Sequence, residues 1–268
     1  MLKAEFRKWQ KTTSVSISRY MAFKADFLLM LVAPSFVFVA INYSIWRSIF
    51  QSRGGESISG FSMDQMLQYQ CWAFIVALLT RSHRTWNLSE HIRLGRITSF
   101  LLYPFDAWKF YASEFLAFQL LQFCTAVPSI LVLRALGFLP QLDLMACALG
   151  ILFSLLVSVL WFVCDFTLGL AGFWLEEVWV FRVIFGLFAV LLSGAFIPIE
   201  LFPPALQAVI GYTPFPLITS VPVHIFLGAQ SVPIGWSIGM VCAWTVGLAM
   251  VSGVVWRRGM RLYTAAGI

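Results

Sequence analysis

Six long apolar runs constrain this chain more than any other feature of its sequence. Each is long enough to form a helix that crosses a bilayer, which takes about 20 mostly apolar residues. The runs predict spans at 24–50, 61–81, 107–136, 144–172, 180–198 and 232–256. Only 11% of the residues are charged, against roughly 25% in an ordinary soluble domain. We therefore predict one all-α membrane domain over residues 1–268, with six transmembrane helices and no separate soluble domain.

An amphipathic helix is predicted ahead of the first span, at residues 1–23. One face of its helical wheel is apolar and aromatic, with Leu2, Phe6, Trp9, Ile17 and Tyr20. The other face carries Lys3, Arg7, Lys11 and Ser18. This pattern is typical of a helix that lies at the surface of an anionic leaflet. A secretory signal would show a compact apolar core and a small-residue cleavage site, and the segment has neither.

The basic residues are divided unequally between the two sides of the predicted membrane. If the N-terminus is cytoplasmic, fifteen Lys and Arg residues fall on that side, and only Arg47, Arg53 and Arg134 fall on the other. By the positive-inside rule both termini are cytoplasmic, with residues 257–268 as a cytoplasmic tail. This topology accounts for the net charge of +6 without a nucleic-acid partner.

The polar loop at residues 82–106 contains signals for a short helix. Asn87 is a suitable helix cap, Glu90 completes a pair that resembles a capping box, and Gly95 is suited to end the helix. The sequence therefore predicts a short cytoplasmic helix over 87–95. It is either an ordinary loop helix lying against the membrane or a docking element for a soluble partner.

The segment at residues 199–231 is apolar but too broken for one helix. Its prolines include Pro203, Pro214 and Pro222, and each interrupts helical hydrogen bonding. We predict short re-entrant helices on the external side. Such backbone is tolerated at membrane depth only where protein or a water-filled cavity surrounds it, so an outer vestibule is the expected location.

Two acidic residues fall inside apolar runs, where a charge is costly and usually functional. Glu114 lies in the third predicted span and Asp165 in the fourth. Either is able to pair with Arg182 or Lys109 and hold a cytoplasmic gate. The alternative is a position at the interface, where water reaches the carboxylate.

The sixth span carries small residues with a period of four. They are Gly235, Gly239, Ala243 and Gly247. A stripe of small side chains lets two helix backbones approach closely, and we predict that this one packs within the subunit.

Catalytic and metal-binding patterns are weak in this sequence. The five cysteines lie in apolar runs without metal-ligand spacing, and there is no HExxH motif. Ser193 and His224 form the only nucleophile and base pair that one would propose, and no third group is evident to orient them. We predict no catalytic residues, no metal and no cofactor bound by this chain.

Three motifs resemble one known family. The pattern I-R-x-G-R-I-x-x-x-L-L-x-P-x-D, at 92–106, resembles the loop in membrane subunits of ATP-binding cassette exporters of the second export type, and most closely their short bacterial branch with six spans. The segment at 194–204, continuing through 214–216 and 225–228, resembles the family's external re-entrant helices. The stretch at 261–267 resembles the family's usual C-terminal end. The order and spacing of these motifs extend the resemblance over nearly the whole chain.

The resemblance implies a permease worked by a separate ATPase. The family's coupling helix maps onto the segment at 87–95, so the expected contacts with the ATPase are Asn87, Glu90, His91, Arg93 and Arg96. The sequence contains no G-x-x-x-x-G-K-[ST] motif, and we expect ATP and Mg to be bound by the partner. The expected assembly has two ATPase subunits and a second permease chain, identical or paralogous, in the bacterial cytoplasmic (inner) membrane.

In this family the translocation path lies between the membrane subunits, along the second and fifth helices. The aromatic residues there are Trp72, Phe74, Phe181, Phe185, Phe188 and Phe196. Ring faces suit hydrophobic cargo and organic cations, which predicts drug or toxin efflux, although lipid contact or packing would explain the same rings. The alternative function is an ATP-independent secondary transporter or channel. That class usually shows internal repeats around a midplane site, and the two halves of this chain show no convincing repeat.

Overall fold

The computed structural model describes residues 2–22, 24–81, 87–102, 105–139, 143–229 and 233–263. Within these ranges the chain is helical, and its one β element is an isolated bridge between Ile58 and Phe61. The α-helices are α1 (Leu2–Met21), α2 (Lys24–Ser52), α3 (Met63–Thr80), α4 (Asn87–Arg93), α5 (Thr98–Leu102), α6 (Ala107–Ala135), α7 (Leu144–Leu170), α8 (Val178–Leu192), α9 (Pro204–Gly211), α10 (Phe215–Ile218), α11 (Ser220–Phe226) and α12 (Ile234–Leu262). Two 3-10 turns lie at Ala171–Phe173 and Ile199–Leu201.

Within the described residues, three helices are long and apolar enough to cross a bilayer by themselves. They are Ala107–Ala135, Leu144–Phe173 with its 3-10 extension, and Ile234–Leu262. The shorter helix α8 is also apolar. The molecule is therefore an all-helical, multi-pass membrane protein. Helices α2 and α3 coincide with the first two predicted spans to within a few residues, and α1 forms where an N-terminal helix was predicted.

Two helix boundaries differ from the predictions. Helix α8 ends at Leu192 and not at residue 198, because the backbone turns at Gly194, whose φ is +82°, a conformation that suits glycine. Helix α12 continues to Leu262, so Arg257 and Arg261 lie on a helix and not in a separate tail. The last five residues of the predicted tail lie outside the described ranges.

Helices α3 and α7 form the centre of the fold. Helix α3 packs against α2, α6 and α7, while α7 also packs against α11 and α12. Tyr69, Trp72 and Ile75 of α3 are almost completely buried. Burial on all sides explains why this helix shows no clear amphipathic pattern.

The segment between α8 and α12 forms a series of short helices, α9 to α11, as predicted, while its external re-entrant position stays a prediction. Much of α9 is exposed, whereas α10 and α11 are buried against α3, α7 and α8. The ring of Phe226 stacks on Trp72 with centroids 4.4 Å apart. A Cβ at Gly150 of α7 would lie 2.7 Å from the Phe226 ring, so glycine permits this close approach. Other parts of the protein thus cover much of α10 and α11, and the outer vestibule stays a prediction.

Helix α1 packs along α6. The ring of Trp9 lies 6.1 Å from that of Trp108, and Tyr20 lies 5.6 Å from Phe118, both edge to face. The basic face is exposed as predicted. Phe6 was assigned to the apolar face, but its side chain is also exposed and makes no comparable ring contact among the described residues.

The prediction for the small-residue stripe of α12 is wrong. All four of its members are exposed, and a Cβ built at any of its three glycines would have no atom within 4 Å. Helix α12 packs on α7 through a different side. There the hydroxyls of Thr167 and Ser252 share a hydrogen bond of 2.6 Å, and Gly259 lies against the Phe173 ring so closely that a Cβ would overlap it.

Candidate functional site

Helix α4 has one buried and one exposed face. Leu88 and Ile92, four residues apart, are almost completely buried beside α6 and α7. Asn87, Glu90 and Arg93 are exposed on the other side. A seven-residue helix is too short to be stable alone, so packing of its apolar side keeps it in place.

The structure describes the predicted end of α4 but not the residue that precedes its start. Asn87 is the first helical residue, so the capping position before it falls at residue 86, outside the described ranges. Gly95 ends the helix as predicted, with φ +74° and its N–H donating to the Ile92 carbonyl at 3.2 Å. Arg96 follows and is exposed.

Two glycines at the end of α7 let α4 lie directly against it. A Cβ at Gly172 would be 2.8 Å from the Ser89 Cα, which is a backbone atom. A Cβ at Gly169 would be 2.9 Å from the Leu88 side chain and 2.7 Å from the Arg182 guanidinium. Since real Cβ atoms do not approach so closely, a residue larger than glycine at either position would push α4 away from the end of α7.

A buried ion pair lies behind this contact. Arg182 of α8 donates from Nη1 to Oδ1 of Asp165 in α7, at 3.1 Å, and the two side chains are 3% and 6% exposed. This is one of the pairings expected from the sequence. Because Arg182 also lies against Gly169, side-chain and backbone contacts run from α4 through α7 to α8.

The other acidic residue expected at a gate has a different partner. Glu114 accepts a hydrogen bond from Arg19 of α1, so the pairing of Glu114 with Arg182 or Lys109 is wrong. Lys109 instead pairs with Asp106 at 2.9 Å and with Glu5 at 3.5 Å. The difference arises because α1 lies along α6 and brings its own charged residues to that helix.

His91 points toward the protein and not outward like its neighbours. Its Nδ1 shares a 2.6 Å hydrogen bond with the Tyr111 hydroxyl. Burial lowers the pKa of His91, and the nearby charge of Arg96 lowers it further. Four of the five predicted contact residues are therefore exposed, while His91 holds the loop to α6. Their contact with an ATPase stays a prediction.

The aromatic residues predicted along the path do not share one surface. Trp72 and Phe74 are buried in the interior. Phe185 is half-buried between Trp161 and Phe215. Phe181, Phe188 and Phe196 are exposed, on α8 and in the turn that follows it. The α3 aromatics are therefore placed for packing, and only the α8 side presents rings outward.

Hydrogen bonds from α3 to the turn after α8 were not anticipated. The Tyr69 hydroxyl donates to the Gly194 carbonyl at 2.8 Å, and Gln70 Nε2 donates to the Phe196 carbonyl at 3.2 Å. They provide donors to carbonyls of the turn that follows α8. The signal in the sequence was that Tyr69 and Gln70 place polar groups inside a predicted span.

Ser193 and His224 are held by different groups. The Ser193 hydroxyl accepts from Nη2 of Arg81 at 3.4 Å. His224 Nδ1 bonds the Ser220 carbonyl at 2.8 Å, and its Nε2 lies 3.2 Å from Oε1 of Glu200. In the described part of the chain, no three His, Cys, Asp or Glu side chains are grouped as a metal site would need.

The Glu200–His224 pair perturbs both ionisations. Burial by itself would raise the pKa of Glu200, but the hydrogen bond and charge of His224, together with a backbone hydrogen bond, outweigh it and lower that pKa overall. Burial would likewise lower the pKa of His224, but the Glu200 carboxylate and the hydrogen bond to the Ser220 carbonyl together raise it overall. The pair therefore favours its charged form.

Comparison with known proteins gives one family. A family model described as "ABC-2 family transporter protein" matches residues 36–267. The match includes α3 to α12 and most of α2, and it excludes α1. No curated protein matches the chain.

Proposed function

The chain belongs to the ABC-2 family of transporter proteins, and from this premise we propose that it is the six-span permease subunit of an ATP-driven exporter. The six spans are α2, α3, α6, α7, α8 and α12. Both termini lie in the cytoplasm, in agreement with the distribution of basic residues, and the membrane is the bacterial cytoplasmic membrane, in keeping with the resemblance to the short bacterial branch.

The exposed face of α4 is the observation that carries this proposal. A docking helix must offer polar side chains to its partner and at the same time be rigidly joined to the membrane helices. Helix α4 meets both requirements, because Glu90 and Arg93 are exposed while Ser89 is in close contact with Gly172. Charged side chains at such a surface favour a specific partner and its orientation.

The contacts behind α4 give a route for motion. A force on α4 acts on the end of α7 through Gly169 and Gly172, and on α8 through Arg182. Helix α8 is in turn joined to α3 by the hydrogen bond from Tyr69 to Gly194. We expect ATP binding in the partner to move α7, α8 and α3 together, since packed interfaces move as units.

The partner subunits hydrolyse the ATP that drives transport. The sequence of this chain contains no nucleotide-binding P-loop, so ATP and Mg bind to two ATPase subunits. A second permease chain, identical or paralogous, completes the translocation path.

The cargo is a hydrophobic molecule or an organic cation. The rings of Phe181, Phe188 and Phe196 are exposed where α8 and the following turn would face a second permease. Aromatic faces attract flat apolar molecules and desolvated cations. Trp72 and Phe74 are buried, so they are left out of this surface.

Co-purification with matched charge reversals tests the contact. We expect wild-type protein, purified from its own membrane, to retain an ATPase, and Arg93→Glu to retain several-fold less. The matched control is Arg53→Glu. Arg53 is also exposed, but it lies before the first residue of α3, whereas α4 follows the last residue of α3. Equal retention by the two variants would contradict the proposal.

Reconstituted vesicles test the energy source. Transport of a fluorescent organic cation is expected only when ATP and the co-purified ATPase are both present. Movement driven by an ion gradient through this chain alone would contradict ATP-driven export and favour a secondary transporter.

A further inference from the structure

A second apolar site lies away from α8. Helices α6, α7 and α12 enclose a partly open groove of about 600 Å³. Phe162 and Phe166 of α7 form its floor, Phe115 and Leu116 of α6 form one wall, and Ala249 of α12 belongs to the other. The lining is almost entirely apolar, so the groove suits a hydrocarbon ligand.

One end of this groove has a different character. Trp9 and Trp108, whose ring centroids lie 6.1 Å apart, line the groove where α6 begins, and Trp256 and Arg257 line it near the end of α12. Tryptophan rings are enriched where the hydrocarbon of a bilayer meets the headgroups. None of the acidic side chains that the structure describes forms an ion pair with Arg257, so its charge is available to an anion beside the groove.

The length of the groove matches one leaflet of a bilayer. Its lining on α12 runs from Thr245 to Arg257, which at 1.5 Å per residue is about 18 Å. Half of a hydrocarbon core is about 15 Å thick. An acyl chain lying along the groove would therefore place its headgroup at the level of Arg257.

We propose that this groove binds one anionic phospholipid, with an acyl chain between α6 and α12 and the phosphate at Arg257. The charge of Arg257 favours this occupant over a neutral lipid, and the tryptophans suit the level of the headgroup. The site lies apart from the α8 surface, so the inference does not depend on the proposed transport activity.

Two pairs of α12 residues allow matched tests. Gly253 lines the groove, and a Cβ added there would meet no atom within 4 Å, so Gly253→Leu fills the groove without a backbone clash. Gly247 has the same open space and lies outside the lining, which makes Gly247→Leu its control. Arg257→Gln removes the charge at the groove, and Arg258→Gln removes an adjacent exposed charge that does not line it.

Native mass spectrometry of the full-length protein measures this binding directly. The delipidated protein is titrated with dioleoylphosphatidylglycerol and, separately, with dioleoylphosphatidylcholine. We expect one retained lipid and a preference of about fivefold for the anionic lipid, the contribution of one basic residue at a membrane surface. Gly253→Leu should lose the retained lipid, whereas Gly247→Leu should keep it.

The two arginine variants separate binding of the lipid's acyl chain from recognition of its phosphate. Arg257→Gln should still bind one lipid but lose the preference, and Arg258→Gln should behave as wild type. Equal binding of the two lipids by wild-type protein, or equal effects of the two arginine variants, would overturn the proposal. A mass shift from dimer to monomer on Gly253→Leu would also overturn it, because a second copy of the chain would then be the occupant. If Gly253→Leu does not fold, Ala249→Phe fills the same groove from the next turn and decides the question.

Discussion

Adding one methyl group at Gly172 tests how closely α4 is joined to α7. In Gly172→Ala the new Cβ would lie 2.8 Å from the Ser89 Cα, where ordinary contact begins at 3.4 Å. Helix α4 must therefore move by about 0.6 Å, the difference between those two distances. Overpacking of this kind costs about 1–3 kcal/mol in the free energy of unfolding. The neighbouring atom is backbone, so a side-chain rotation cannot relieve it.

Gly186→Ala is the matched control for this change. Gly186 lies in α8, and a Cβ there would meet no atom within 4 Å. Alanine in place of a helical glycine should stabilise α8 by about 0.5–1 kcal/mol. We expect unfolding in detergent to show loss of stability in Gly172→Ala and a small gain in Gly186→Ala. We also expect Gly172→Ala to insert into the membrane normally and to retain less ATPase on purification.

If Gly172→Ala matched Gly186→Ala in both stability and ATPase retention, the reasoning would be refuted. The close approach of α4 to α7 would then be absent from the working protein. Lower stability with full ATPase retention would keep the packing but remove its link to docking.

Three further changes probe the interior. Asp165→Ala should cost about 3–5 kcal/mol of unfolding free energy, because it leaves the buried Arg182 guanidinium without this carboxylate; chemical denaturation in detergent measures it. Tyr69→Phe should cost about 1–3 kcal/mol by the same assay, since it leaves a buried carbonyl without its donor. Glu200 raises the pKa of His224. The stabilisation that His224→Gln removes should therefore be fully present below about pH 6.5, the usual pKa of a histidine in the unfolded chain. It should be lost as the pH rises through the pKa of the folded protein. Thermal unfolding from about pH 6 to about pH 9 measures this difference.

Each of these changes has a result that would count against its reasoning. Adding Arg182→Met to Asp165→Ala should restore much of the lost stability, and a further loss of similar size would show that the two side chains act independently. An unchanged stability in Tyr69→Phe would mean that water replaces the phenol. A gap between wild type and His224→Gln that stays constant with pH would show that Glu200 does not hold the histidine in its charged form.

The positions of the long helices could be predicted well because long apolar runs are typical of helices that cross a membrane. Chain breakers were equally informative: the prolines at 203–222 predicted the short helices α9 to α11, and Gly95 predicted the end of α4. The end of α8 was missed, since residues 193–198 are as apolar as a helix. There hydrogen bonds from α3, and not hydropathy, determine the backbone.

Side-chain partners were harder to predict than helices. The pairing of Asp165 with Arg182 was among those expected, since each lies near the same end of consecutive spans. The partner of Glu114 was missed because sequence alone does not show that α1 lies along α6. The exposed glycine stripe of α12 was misassigned for a related reason: small residues permit a close helix contact but do not show which helix makes it.

Photo-crosslinking from α4 tests the central claim most directly. A benzophenone amino acid at Arg93, on the exposed face, should crosslink in native membranes to a protein that contains a nucleotide-binding P-loop, identified by mass spectrometry. The same group at Arg53, which is exposed between α2 and α3, should not. A P-loop ATPase captured from Arg53 and not from Arg93 would contradict the account, because the ATPase would then act on the opposite end of the molecule.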